Sequence, residues 1–370
     1  MNASDAPHRN GPYRFEAYEV SYFSAKVRPA LRYKQLWFEE RRADLRELIR
    51  RTGMAFIPVV ITPDDETWQD STEIYEELEA RHPDPPLFPS TPLQRFVARL
   101  VELYTDEVAL IPAMHYRWGS ELGEASARAR FSAMMGSLER GNAAADRMVQ
   151  ARHLVGASPS AAPAIEAHTE ALLAALSTHF EAHPYLLGDR LSVADCALMG
   201  PLDGHFFTDL VSRRLLLETA WRVVGWIERC KFPNTDEQGD WLAGDAIAPT
   251  LRDVLQVMGE DGVPLLLEGL AAIEKWADGM GEGAAEVPRA VGKIEASFRG
   301  ATVERAAMPY TLWMVQRTLD AYRALADAER RRVDDAVAGT GWEALLGYAP
   351  RHRMTKRGFQ LAIEREGDDR

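Results

Sequence analysis

The sequence predicts an α+β N-terminal domain followed by an all-α helical-bundle domain that is enlarged at its C-terminal end. Two changes of pattern along the chain carry this expectation. Up to about residue 80, short β-branched and aromatic runs alternate with helix-period segments; beyond residue 92 nearly every segment carries apolar residues at helical spacing. Between them His82 to Pro92 (HPDPPLFPSTP) holds five prolines, too many for either regular structure, and reads as a linker. A length of 370 residues, with 46% hydrophobic and 27% charged side chains, suits two or three ordinary globular domains.

Tyr13 to Tyr22 is aromatic and β-branched with partial alternation, as a strand requires, and a turn at Ser21 to Ser24 follows. From Ala25 the period changes. Val27, Ala30 and Leu31 share a helical face, Ser24 serves as N-cap, and Pro29 should bend or loosen the first turns. Leu36 to Glu39 forms a short strand and Asp44 to Arg51 a helix ending near Gly53. The apolar run Ala55 to Ile61 is of strand type but contains Pro58, tolerated at a strand's first residue or, with a cis peptide bond, in a bend just before it. Glu66 to Gln69 is a strand and Asp70 to Ala80 an amphipathic helix, so the domain reads β-α-β-α-β-β-α.

After the linker, helices are expected at Leu93 to Ile111 with a kink at Pro112, then at Glu124 to Val155, Ala161 to Ala182, Val193 to Gly200 and Leu210 to Arg229. Phe232 to Asp240 interrupts the pattern. Helices resume at Pro249 to Met258 and Val263 to Asp278, and, after a turn at Gly279 to Gly283, at Ile294 to Ser297, Tyr310 to Leu325 and Ala328 to Ala338.

The formal charge of −13 has the wrong sign for a protein that lives on nucleic-acid phosphates or anionic lipid, so neither is an expected partner. Two cysteines, Cys196 and Cys230, cannot build a disulfide framework, a zinc cluster or a CxxC pair, which suits a reducing compartment. Residues 1–12 are polar and read as a disordered leader rather than a signal peptide, and no apolar run would span a bilayer; a cytoplasmic location follows. His179 and His183 lack a third ligand, so no metal is expected. Gly281 to Gly283 lacks the spacing of a nucleotide loop, and the basic run Arg351 to Arg357 reads as a solvated terminus.

Three motifs narrow the reading. Phe56-Ile57-Pro58-Val59-Val60 places a proline before the third strand of the domain. Asp70-Ser71 opens the helix after the fourth. Far away, Leu187-Gly188-Asp189-Arg190-Leu191-Ser192-Val193-Ala194-Asp195 carries the S-x-x-D spacing of a capping box at Ser192 and Asp195. In this order and spacing they resemble the cytosolic glutathione S-transferases over residues 13 to about 230. The resemblance implies a thioredoxin-like domain at 13–83, a Pro-rich linker at 84–92 and the family's helical domain at 93–230. It leaves 231–370 as an extra helical region, too apolar and periodic for a tail and expected to pack on the helical domain.

The same resemblance implies glutathione as co-substrate. The backbone of Ile57 or Val59 beside Pro58 would pair with the cysteinyl backbone. Asp70 and Ser71, at a helix N-terminus, would hold the γ-glutamyl end, with the shorter Asp70 standing where the family commonly has Glu or Gln. Thiolate stabilisation would fall to Tyr22, Ser21 or Ser24, according to whether the segment is aligned on Lys26-x-Arg28 or on the thioredoxin-like CxxC slot; the sequence does not choose. An electrophile pocket is expected around Tyr104, His115, Tyr116 and Arg117. The implied activity is transfer of the thiol to a small electrophile, as in detoxification. The alternatives are a glutathione-dependent peroxidase or dehalogenase, or a non-catalytic module for protein interaction. The family's two-fold dimer is implied as well, although so long an extension could cover that surface.

Overall fold

A computed structural model describes residues 11–280 and 287–364. The first domain comprises β1 (Tyr13–Ala17), α1 (Tyr22–Tyr33), β2 (Phe38–Arg42), α2 (Leu45–Thr52), β3 (Val59–Ile61), β4 (Thr67–Gln69) and α3 (Ser71–Arg81). Its sheet runs β2-β1-β3-β4, with β1 parallel to β2 and both other pairs antiparallel, the thioredoxin-like order. Local signals set most boundaries. Asp44 caps α2 by accepting from the Arg46 and Glu47 amides, and Gly53 ends it at φ 75°, a conformation that favours glycine. The Ile57–Pro58 peptide bond is cis, and the strand begins only after it, at Val59.

One boundary differs from expectation at the start of α1. The first strand stops at Ala17, and α1 starts at Tyr22 with Ser21, not Ser24, as its cap; the Ser21 side chain accepts from the Ser24 amide. Pro29 lies buried inside α1, which runs on to Tyr33.

The helical region holds α4 (Pro92–Glu107), α5 (Leu110–Trp118), α6 (Glu121–Met135), α7 (Leu138–Leu154), α8 (Ala162–Ala182), α9 (Val193–Pro201), α10 (Leu210–Thr219) and α11 (Trp221–Lys231). The expected kink at Pro112 is instead a break at Val108–Ala109, so that Pro112 falls in the first turn of α5. The expected helix from Glu124 to Val155 is two, because Gly136 turns left-handed at φ 60°. The capping-box reading is borne out: Asp195, wholly buried, accepts from the amides of Ser192 and Leu186, the Ser192 hydroxyl and the indole of Trp226. Beyond α9 the chain passes through a π-helical turn, Leu202–Phe207, that lies against α1.

The C-terminal region is not all helix. A single helix α12 (Pro249–Asp278) replaces the two expected ones and packs along α8. It is followed by a hairpin of β5 (Gly292–Phe298) and β6 (Ala301–Ala307), then α13 (Pro309–Arg323), α14 (Asp327–Val337), α15 (Trp342–Leu346) and a second hairpin, β7 (Met354–Arg357) and β8 (Gln360–Ile363). The helix expected at Ile294 to Ser297 is therefore a strand, whose alternately buried Ile294, Ala296 and Phe298 face α12. Nor is the basic run 351–357 a solvated terminus. Arg351 pairs with Glu274 and Asp278, Arg353 with Asp320 and Glu364, and Lys356 with Asp70 and Glu73. The leader expectation for 1–12 and the turn expected at Gly279 to Gly283 fall largely outside the described residues.

One apolar core is continuous from Phe15, Leu31 and Tyr75 through Leu100 and Leu198 to Leu255, Leu266, Leu312 and Leu319. The extension thus shares the interior of the first two regions and packs onto α4 as well as α8.

Candidate functional site

At the start of α1 three hydroxyls have different fates. Ser21 is partly exposed, and its oxygen accepts from the Ser24 amide while its proton has no acceptor among the described residues. Ser24 is fully buried, its oxygen accepting weakly from the Tyr18 amide at 3.4 Å. Tyr22 points the other way, into the junction with α4, where its hydroxyl donates to the Thr105 carbonyl at 2.6 Å. Burial and the nearby Asp106 carboxylate push its phenol well above the usual range. Of the three candidate hydroxyls, that of Tyr22 is therefore buried with its donor already used.

Two glycines set the seat of α1. A methyl group on Gly200 would approach the Tyr22 ring to 2.8 Å and the Lys26 stem to 2.9 Å, and one on Gly204 would meet Ala25, the Tyr22 backbone and the Ser21 carbonyl at 3.0–3.3 Å. Only a bare backbone lets α9 and the π-helical turn approach the cap this closely. Their spacing of four within one helical run was a readable signal that the sequence analysis did not use. Arg117, 3% exposed, holds the same corner from the other side. It pairs with Asp209 at 2.6 Å and donates to the carbonyls of Val20, next to the cap, and of Gly204.

Beside cis-Pro58, Val59 lies in the sheet, registered with Glu16 on one side and Gln69 on the other. Ile57 precedes the ladder, and its N–H and C=O make no hydrogen bond among the described residues. Of the two expected pairing residues, Ile57 therefore has the free backbone edge. At the next corner Asp70 caps α3 in a conformation, φ 80° and ψ 120°, that is costly for any residue but glycine. Its carboxylate accepts from the Thr72 amide, from the Tyr310 hydroxyl at 2.7 Å and from Lys356 at 2.9 Å. Ser71 follows it, 4% exposed, its hydroxyl unpartnered among the described residues.

Between the starts of α1 and α3 lies a buried ionic cluster. Lys26 pairs with Asp106 at 2.5 Å and lies 3.6 Å from Glu102, which accepts from the Thr72 hydroxyl. Desolvation raises the Asp106 carboxyl to about 7 against the pull of Lys26.

The four residues expected at the electrophile pocket do not converge on one another. Tyr104 is buried and bonded to His168, whose other ring nitrogen bonds Asp261. His115 faces Glu166 at the surface, Tyr116 lies against Phe206 and Arg117 is the clamp just described. The four face different partners, three of them because α5 begins a fresh helical phase after the break at Val108–Ala109. Close by, a cavity of about 10 Å³ lined by Ala109, Pro112, Thr169, Leu172, Pro201 and Phe206 is at the lower limit for one water molecule.

Among the described residues no group of His, Cys, Asp or Glu is placed to hold a metal ion, and no helix is long and apolar enough to cross a membrane. His179 is fully buried between the Thr250 hydroxyl and the Tyr185 carbonyl.

No curated protein matches the sequence. Similar solved structures include a glutathione S-transferase from Rhodospirillum rubrum, at 17% identity over 65% of this chain and 99% of that one, TM-score 0.42. One from Methylobacterium radiotolerans, in complex with glutathione sulfonate, is 22% identical over 64% and 99%, TM-score 0.37. Rice GST1 in complex with glutathione is 20% identical over 62% and 92%, TM-score 0.39. The N-terminal domain model of the glutathione S-transferases matches residues 16–86 and their C-terminal domain model matches residues 146–231. By these two matches, in order, residues 16–86 carry a glutathione S-transferase N-terminal domain and residues 146–231 a glutathione S-transferase C-terminal domain.

Proposed function

We propose that this protein binds glutathione against Ile57 and the start of α3, and stabilises its thiolate with the Ser21 hydroxyl for transfer to a small electrophile. The single observation that carries the reading is the cap of α1. Ser21 is the hydroxyl of the three that is partly exposed, keeps its proton to donate, and sits where the helix N-terminus favours negative charge. Free N–H groups of the first turn add to the same field. A free thiol titrates near ~8.5, so one charge-assisted hydrogen bond and the helix end together lower it by about one to two units.

The chemistry is attack of the bound thiolate sulfur on an electrophilic carbon: the S–C bond forms, the leaving group departs with its electron pair, and the thiol proton goes to solvent. The protein supplies the deprotonated thiol and its position. The test is the ultraviolet titration of the thiolate in bound glutathione, with conjugation to a chloronitroarene as second readout. Ser21→Ala should raise the bound thiol pKa by at least about one unit and slow conjugation about tenfold or more. An unchanged titration in that variant would remove Ser21 from the role.

The second reading, a module for protein interaction, is favoured by the dispersal of Tyr104, His115, Tyr116 and Arg117 into internal contacts. Glutathione bound with no conjugation of any electrophile tried would support it.

A further inference from the structure

The carboxylate of Asp70 is already occupied by the chain itself. One oxygen accepts from the Thr72 amide; the other accepts from the Tyr310 hydroxyl at the start of α13 and from the Lys356 ammonium in β7. Lys356 reaches this point from 286 residues along the chain. It is only 11% exposed, sits 2.9 Å from Glu73 as well, and lies 4.1 Å above the centre of the Trp313 ring. Arg317 on the same helix pairs with Glu76 and so fixes α13 against α3. The contact is a built corner, with a buried aromatic wall, two carboxylates and one cation.

A γ-glutamyl group carries a carboxylate and an ammonium on the same carbon. The unpartnered Ser71 hydroxyl and the free N–H groups at the start of α3 suit the carboxylate. An ammonium needs an acceptor with an open lone pair, and bonds from Thr72, Tyr310 and Lys356 already take three positions on the carboxylate next to Ser71. To bond Asp70, the ligand's ammonium would have to displace a lysine of like charge. Resting on the glutathione reading above, we propose that Lys356 takes the place of the ligand's ammonium at Asp70. The site then recognises the γ-glutamyl carboxylate without its amine, and accepts thiol peptides whose terminal amine is missing or blocked as readily as glutathione.

Calorimetric titration of the full chain with glutathione and with glutaryl-cysteinyl-glycine, the same tripeptide lacking only the amine, tests this. In the natural protein the two dissociation constants should agree within about threefold. Lys356→Met keeps the apolar stem on Trp313 and frees Asp70, and should shift the ratio about tenfold or more in favour of glutathione, the effect of one ionic hydrogen bond. A natural protein that already prefers glutathione tenfold, or a Lys356→Met protein with an unchanged ratio, overturns the proposal while leaving glutathione binding intact. Failure of both ligands to bind either protein overturns the glutathione reading itself. Thermal melts of the variant report its folding; should it fail to fold, the wild-type ratio decides, with Tyr310→Phe as the second variant.

Discussion

At the start of α1 the cap is a serine whose oxygen accepts from within its own turn, and everything that holds it comes from the neighbouring residues, α9, the π-helical turn and Arg117. At the start of α3 the cap is an aspartate that, besides the local Thr72 amide, accepts from residues 240 and 286 positions away. Both are helix N-termini at one edge of the thioredoxin-like domain, with the same inherent preference for negative charge. The first keeps a donor available to a ligand; the second has its acceptor filled by the extension. Two helix N-termini of one domain therefore do not offer the same polar atoms, since what a terminus can bind depends on which of those atoms the rest of the chain has already claimed.

The largest expected effect probes what holds the first of these. Arg117→Met removes the cation facing buried Asp209 and releases the Val20 and Gly204 carbonyls, and should cost about 3–5 kcal/mol in urea unfolding. It should disturb the thiol end while leaving the Asp70–Lys356 pair in place. If the loss were under about 1 kcal/mol, the clamp would not be what positions the cap.

The pH dependence of stability supplies a control away from both termini. Burial lowers the His179 imidazole to about 4, below its ordinary 6.5. Its folded pKa is depressed, so its contribution is fully present above about 6.5 and is lost as pH falls toward 4, by up to about 3 kcal/mol. Denaturant melts at pH 7 and pH 4.5 should show this loss equally in the natural, Ser21→Ala and Lys356→Met proteins, and His179→Gln should abolish it. A loss that instead followed Ser21 or Lys356 would tie the acid limb to the site.

Tyr22→Phe gives the smallest change and the clearest contrast with Ser21. Removing the donor to the Thr105 carbonyl should cost about 1–2 kcal/mol of stability and leave the thiol pKa of bound glutathione where it was. A rise in that pKa equal to the one expected for Ser21→Ala would reverse the assignment of the two hydroxyls.

Features encoded within a few residues were legible beforehand. Pro58 in an apolar run marked a bend before β3, Ser192 and Asp195 marked the start of α9, and periodicity located α1, α8 and α13. The choice among Ser21, Tyr22 and Ser24 was not legible, because one residue of helix register decides which hydroxyl faces out and α9 sets that register. The strand at Ile294 was legible but misread: over Lys293 to Phe298 the alternation has period two, and a four-residue window is too short to show it.

By itself the sequence determined the two-domain order, the proline corner before β3 and the capping box of α9, since each depends on backbone preferences and hydrogen bonds between near neighbours. Only the tertiary structure decided that Tyr22 is packed away, that the four expected pocket residues are dispersed, and that Tyr310 and Lys356 close on Asp70. Such contacts join segments tens to hundreds of residues apart, and the longest form because a shared apolar core brings α13 and the last hairpin against α3 and α4, a geometry that no local pattern encodes.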